Sequence, residues 1–134
     1  MKSLPTLIKV AQRRIDDIAR VISERQSVLD GLQTARALAE ARMLSETAAS
    51  ASDLNLASAL PAYTARYKAE LSRIDQDVSN IEAEIDRLRE RMIEAYGEKS
   101  RFDALSKTYE ERARKEALDK EQAALDEAAI MRRR

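Results

Sequence analysis

The sequence predicts an all-α protein, a two-helix antiparallel coiled-coil hairpin whose second helix is longer than the first. Ala, Glu, Lys, Leu and Arg account for 75 of the 134 residues, a share typical of long helices and coiled coils. Glycine and proline occur only twice each, whereas sheets and loop-rich folds need many turn-forming residues. Two unbroken heptad patterns, one in each half of the chain, indicate the two helices.

The first heptad pattern predicts a helix, α1, over about residues 5–49. Apolar side chains recur at alternating steps of four and three, with Arg25 and Arg36 as the only polar members. We expect the aliphatic parts of these arginine side chains to pack along the apolar face of α1 and their guanidinium groups to reach water. The positions form the α1 seam, which consists of Leu4, Ile8, Ala11, Ile15, Ile18, Ile22, Arg25, Leu29, Leu32, Arg36, Ala39 and Met43.

A tip and a second, longer helix are predicted to follow. Residues 50–60 hold a cluster of Ser, Asp and Asn and are followed by Pro61, which is typical of a helix end, a loop and a new first turn. The second helix, α2, is expected over about residues 61–131. Its seam consists of Tyr67, Leu71, Ile74, Val78, Ile81, Ile85, Leu88, Met92, Ala95, Lys99 and Phe102.

The spacing of the two seams predicts that the chain folds back near Asn55. With that turn, facing seam positions have numbers that always add to 110, from Met43 with Tyr67 to Ile8 with Phe102. The required turn falls inside the loop that was located independently from its composition. We therefore expect a single domain, residues 1–134, in which residues 108–134 of α2 form an overhang without a partner in the chain.

The residue types exclude most catalytic chemistry. The chain has no Cys and no His, which excludes thiol catalysis, disulfides, Cys/His zinc sites and histidine acid–base catalysis. Carboxylate clusters such as Glu82, Glu84 and Asp86 are interpreted as solvated faces, because two helices cannot enclose a ligand pocket. No Gly-rich phosphate-binding loop is present. We expect a non-enzymatic protein that needs no cofactor and no metal.

The charge balance and the hydropathy pattern limit the classes of partner that the protein is expected to bind. Basic and acidic residues balance at 24 each, and no run of 18 apolar residues predicts a membrane span. We therefore expect a cytoplasmic protein without direct membrane insertion. The basic stretches at residues 1–14 and 132–134 fit either solubility or docking to an acidic protein surface. Nucleic acid is not an expected partner, since Phe102 and Tyr109 make a poor stacking platform.

Three segments of the second helix carry motifs that point to a family. They read Tyr63-x3-Tyr67-x3-Leu71-x2-Ile74, then Glu98-Lys99-x2-Phe102-x2-Leu105, and finally Glu121-x3-Leu125-Asp126-Glu127-x-Ala129-x2-Arg132. Together with a short first helix, a Ser/Asn-containing tip and a basic end, they resemble the flagellar FliJ family of type III export proteins. The Leu-Asp-Glu stretch shortly before the terminal arginines is the most distinctive part of this resemblance.

The resemblance implies a fold, a role and a set of partners. FliJ proteins are antiparallel coiled coils similar to the central stalk of rotary ATP synthases. They associate with the hexameric flagellar export ATPase and promote its assembly, and they contact the export-gate platform protein at the cytoplasmic membrane. They are also described as escorts of export chaperones. The resemblance therefore implies a non-enzymatic stalk protein that is peripherally associated with the inner membrane through the export apparatus.

The resemblance also assigns each partner to one part of the hairpin. It places the platform contact on the coil next to the tip, at Tyr63, Tyr67, Leu71 and Ile74. It places the ATPase contact at the end that carries both termini, at Leu4, Leu7, Ile8, Tyr109, Leu118, Leu125, Ile130 and Arg132. The apolar members of the second set that lie on the overhang are expected to form one exposed stripe.

Two further interpretations stay open from the sequence. A stalk protein of a virulence-type secretion ATPase would share the same hairpin. A plain structural coiled-coil scaffold would self-associate through the apolar side chains outside the seam, namely Leu7, Val21, Val28 and Leu38.

Overall fold

The computed structural model describes residues 3–133 and contains two helices joined by a short turn. Helix α1 spans Leu4–Ser50 and helix α2 spans Leu54–Arg132. The second helix is therefore the longer one, with 79 residues against 47. No strand occurs between residues 3 and 133. The predicted all-α hairpin with a longer second helix is confirmed.

The tip is shorter than the sequence predicts, because α2 begins at Leu54 and not near residue 61. Asp53 caps the helix: its Oδ1 accepts a hydrogen bond from the backbone N–H of Asn55 at 2.9 Å. Its carbonyl oxygen accepts the first intrahelical bond, from the N–H of Ala57, at 2.9 Å. Pro61 therefore lies inside α2. The carbonyl that its missing N–H leaves free belongs to Ala57, an exposed residue that water can reach.

The cap predicts a local effect on stability. We expect Asp53→Ala to destabilise the first turn of α2 by ~0.5–2 kcal/mol, because the Asn55 N–H loses its acceptor. Faster amide hydrogen exchange at Asn55 and its neighbours would report this fraying. Asp53→Asn is the matched control, since its amide oxygen can accept the same bond. Equal exchange rates in both variants would show that the side chain does not cap the helix.

The chain divides into two compact units, each containing part of both helices. The tip unit is Asp17–Met92, and the terminal unit is Met1–Asp16 with Ile93–Arg134. The single domain predicted over residues 1–134 stays a prediction.

Ion pairs between the helices show that α1 and α2 are antiparallel in the tip unit, and one ion pair also joins them in the terminal unit. In the tip unit these pairs are Arg25–Glu84, Arg36–Asp75 and Arg42–Glu70. Residue numbers rise along α1 as they fall along α2, as antiparallel pairing requires. In the terminal unit, the Arg14 guanidinium lies 3.0 Å from the Glu98 carboxylate.

Side-chain burial in both units follows the two seams. Every residue of the α1 seam and of the α2 seam is buried or half-buried. The most buried apolar members are Ala11, Ile15, Leu29, Ala39, Ile74, Ile85 and Ala95. Most other seam residues are only half-buried because a two-helix layer leaves water on both edges of the interface. The seam positions deduced from the sequence are therefore confirmed as the buried side of each helix.

The two arginines of the α1 seam are ion-paired at its edge. Arg25 Nε lies 3.0 Å from Glu84 Oε2, and Arg36 Nε donates a hydrogen bond to Asp75 Oδ1 at 3.0 Å. Arg36 also pairs with Glu40 on its own helix. The hydrogen bond to Asp75, followed by the charge of that carboxylate, raises the pKa of Arg36 above its ordinary value. Both guanidinium groups reach the surface, as expected for long basic side chains on a seam.

Candidate functional site

In the terminal unit, α2 loses its packing partner where α1 begins. Phe102 and Ser106 face the start of α1 in register and are half-buried, whereas every residue from 107 to 133 is exposed. The three predicted contact residues at the start of α1 are all half-buried, and they are Leu4, Leu7 and Ile8. An uncovered helix surface therefore begins immediately beside these three residues.

The overhang side chains that were expected to form one stripe fall on different faces of α2. At ~100° per residue, Leu118 and Leu125 lie ~20° apart, and Arg132 lies a further ~20° round the helix. Tyr109 is ~180° from Leu118, and Ile130 is ~140° from Leu125. All five are exposed. Only Leu118, Leu125 and Arg132 share a face, so a single stripe containing all the overhang residues is not formed.

Tyr109 has a neighbour of its own on the opposite side of the overhang. The guanidinium carbon of Arg112 lies 5.9 Å from the centre of the Tyr109 ring, a distance typical of a cation–π contact. The aromatic ring is partly covered by a basic side chain, and it lies ~40° from Ala113, on the side of the helix away from Leu118.

A row of four alanines continues the seam direction along the overhang. Ala113, Ala117, Ala124 and Ala128 lie within ~60° of one another on α2, and all four are exposed. They repeat the seam positions Phe102 and Ser106 at intervals of eleven residues. An eleven-residue repeat follows a nearly straight helix, whereas a strict heptad requires left-handed supercoiling. A heptad pattern does not predict this row, whereas the change to an eleven-residue period does.

We name the alanine row and the two leucines the overhang face; on α2, Leu125 lies ~60° and Leu118 ~80° beyond Ala128, on one side of the row. Small side chains at a contact let two helix axes approach towards the short end of the ~8–10 Å range. The two leucines supply apolar area beside that close approach. This geometry suits the docking of a partner helix. Within residues 3–133, no group of three or more carboxylates is placed to hold a metal ion.

The whole sequence matches a family model described as Flagellar FliJ protein, over residues 1–134. The chain belongs to the flagellar FliJ family. It is accordingly a component of the flagellar protein export apparatus. No curated protein and no solved structure was found to match it. Neither helix has, within its described residues, an apolar stretch long enough to span a membrane.

Most of the platform residues that the FliJ resemblance implies belong to the seam of the tip unit. Tyr67 and Leu71 are half-buried, and only 8% of Ile74 is exposed. Tyr63 lies outside the seam and is half-buried rather than fully exposed. Of the four residues, Ile74 is therefore the least available for direct contact, and Tyr63 is the one that lies outside the seam.

Two leucines at the start of α2 are exposed beside this segment and were missed from the sequence. Leu54 is 90% exposed, more than any other large apolar residue in the described chain, and Leu56 is exposed as well. The sequence predicts a loop at these two positions, because Pro61 favours a helix start. The overlooked signal was Asp53 followed by a run of leucines and alanines, which favours a capped helix.

Proposed function

We propose that this FliJ-family chain is a non-enzymatic stalk that binds the hexameric flagellar export ATPase through the terminal unit and activates it. The observation that carries this proposal is the overhang face, an ordered helix surface that no other part of the described chain covers. The principal contacts would be Leu118, Leu125 and Arg132, with Leu4, Leu7 and Ile8 at the start of α1. Tyr109 would border a partner docked on the alanine row, because it lies ~40° from Ala113, whereas Ile130 would meet the partner only if it also reaches the other side of α2.

The energetics of this surface are sufficient for a stable complex. Burial of one large apolar side chain is worth ~1.5–3 kcal/mol, so the two leucines together can change affinity by two or more orders of magnitude. The basic side chains of Arg132 and Arg133 would mainly raise the association rate and make it sensitive to salt. The chain itself contributes neither a phosphate-binding loop nor histidine, so its proposed effect on ATP hydrolysis acts through its partner.

For the second partner, we propose that the tip unit contacts the export-gate platform protein. Tyr63, Leu54 and Leu56 would supply the contact, because their side chains are at least partly exposed and only loosely committed to the seam. Tyr67, Leu71 and Ile74 would support that surface from the coil beneath it. Family membership further supports escort of export chaperones, and a cytoplasmic location with peripheral attachment to the inner membrane through the platform.

The proposed activation is tested by ATP turnover of the export ATPase at a concentration where its hexamer is only partly assembled. We expect severalfold faster turnover when this chain is added, because binding shifts the equilibrium towards the hexamer. The chain alone should hydrolyse no ATP. Equal rates with and without the chain, over the full range of ATPase concentrations, would exclude an activating role.

A further inference from the structure

In the tip unit, α1 carries a second apolar stripe that its own chain leaves largely uncovered. Each of its residues immediately precedes a seam residue, and the spacing is again heptad-like, with the exposed Glu24 as the one charged residue at these positions between Val21 and Leu38. Val21 and Ala35 are half-buried. Val28 is 44% exposed and Leu38 is 59% exposed. We name this the flank stripe, which consists of Val21, Val28, Gly31, Ala35 and Leu38.

We propose that the flank stripe pairs two copies of this chain as an antiparallel homodimer, with the two-fold axis between Val28 and Gly31. In this register, Val21 faces Leu38 of the second copy, and Val28 faces its Gly31. The apolar residues of the stripe thus face one another about a single axis, as an isologous interface requires, and Glu24 faces Ala35 of the second copy.

Charges at the two limits of the flank stripe favour the same antiparallel register. Asp17 and Arg42 continue the stripe in its two directions, and the proposed axis places each opposite the other on the second copy. Both side chains are exposed, and at present each pairs within its own chain, Asp17 with Arg20 and Arg42 with Glu70. A parallel pair would instead set Arg42 against Arg42 and Asp17 against Asp17. Like charges at both limits disfavour that arrangement.

A groove beside Val21 is suited to receive the protruding leucine. It has a volume of about 240 Å³, more than one leucine side chain needs. Of its charged members, Arg25 and Glu84 pair with each other, whereas Arg87 and Arg91 add positive charge to its lining. The proposed register brings Leu38 of the second copy to Val21, and the two-fold axis fills both grooves in this way. The groove is lined by Val21, Arg25, Glu84, Arg87, Leu88 and Arg91.

Gly31 supplies a third observation, independent of the groove. A Cβ atom built at Gly31 would meet no other atom within 4 Å, so the hairpin itself does not need a glycine there. Glycine in a helix interior is destabilising relative to alanine. Its position next to the proposed axis would let the Val28 side chain of the second copy approach the α1 backbone.

The proposed dimer is tested by sedimentation equilibrium of the full chain over a range of concentrations. The interface is small, so we expect a dissociation constant on the order of 10 µM. Leu38→Lys should weaken dimerisation at least tenfold. Leu44→Lys is the matched control, because Leu44 is an exposed leucine on the other flank of the α1 seam. A wild-type chain that stays monomeric at ~1 mM, or equal weakening by both variants, would overturn the proposal.

A pair of glycine variants separates docking from folding. Gly31→Gln and Gly97→Gln both add a long polar side chain where a Cβ meets nothing within 4 Å, and both should make the helix more stable. Only Gly31→Gln should weaken the dimer, because its side chain would stand at the axis. If thermal stability rises in both variants and dimerisation is unchanged in both, Gly31 does not lie at the interface and the proposed axis is wrong.

Disulfide crosslinking tests the register directly, because the natural chain has no cysteine. Mixed Val21→Cys and Leu38→Cys chains should form a disulfide between the two variants under mild oxidation. Each variant alone should crosslink poorly. Efficient crosslinking of Leu38→Cys with itself would indicate a parallel pair and overturn the proposal. Leu38→Lys should leave ATPase activation unchanged, so failure of the dimer and failure of the stalk function are distinguishable.

Discussion

Deletion of residues 118–134 is expected to abolish stimulation of the export ATPase while platform binding persists. The deletion removes Leu118 and Leu125, whose burial in a complex is worth ~1.5–3 kcal/mol each, and it removes the basic end of α2. Affinity for the ATPase should fall at least ~100-fold. The α2 seam ends at Phe102, so the packing between the helices is left intact. ATP turnover and a pull-down with the platform protein measure the two effects.

Point variants test whether ATPase stimulation depends on the overhang face or only on the length of α2. Leu118→Ser combined with Leu125→Ser should reproduce most of the deletion, because both side chains lie on the same face. Ile130→Ser is the matched control, since Ile130 is equally apolar and exposed but points away from that face. If Ile130→Ser reduces stimulation as strongly as the double variant does, the ATPase contact does not depend on the overhang face.

The opposite defect, weaker platform binding with ATPase stimulation retained, is expected from Tyr63→Ala combined with Leu54→Ser. A truncated aromatic anchor in an interface costs ~2 kcal/mol or more, so platform affinity should fall at least ~30-fold. ATPase stimulation should be retained, because the terminal unit is unchanged. Binding to the platform protein is measured by titration calorimetry, with circular dichroism to verify that the helices are intact.

Substitution of Tyr63 and Leu54 leaves the seam intact, so weaker platform binding by this variant would not result from loss of the fold. Tyr67, Leu71 and Ile74 pack in the seam, so their truncation would weaken the hairpin as well as any contact. Tyr96→Ala provides a control, since Tyr96 is an exposed tyrosine of the terminal unit. If the overhang deletion and the tip variant each lose both partners while folded, a single shared surface would explain the binding better than two separate ones.

The helices and their register were predictable because the heptad pattern of a coiled-coil sequence specifies which side chains pack against the partner helix. A residue faces the partner helix or water according to its place in a seven-residue repeat, and this depends only on helix geometry. The buried pair Ile15 and Ala95 therefore follows from the same rule that pairs Leu29 with Ile81. The ion pair of Arg36 with Asp75 was not predictable in the same way, because a long side chain can choose among several neighbouring carboxylates.

The start of α2 and the faces of the overhang were not predictable in the same way. Asp53 predicts that α2 begins at Leu54, whereas Pro61 predicts that it begins near residue 61. Which start occurs depends on the hydrogen bond between the Asn55 N–H and Asp53, and composition does not show the geometry of that bond. On the overhang, the heptad rule has no partner helix to enforce it. The pattern there changes to an eleven-residue repeat, which directs alanines along the seam beyond Tyr109.

The sequence by itself determined the fold class, the antiparallel register and the family, because all three depend on residue types at fixed spacing. The tertiary structure decided which apolar residues are committed to the chain's own core and which are free to bind. Ile74 is used by the hairpin, whereas Leu54, Leu118 and Leu125 are exposed. The physical reason is that exposure depends on where the opposite helix begins and turns, and no single residue's place in the repeat contains that information.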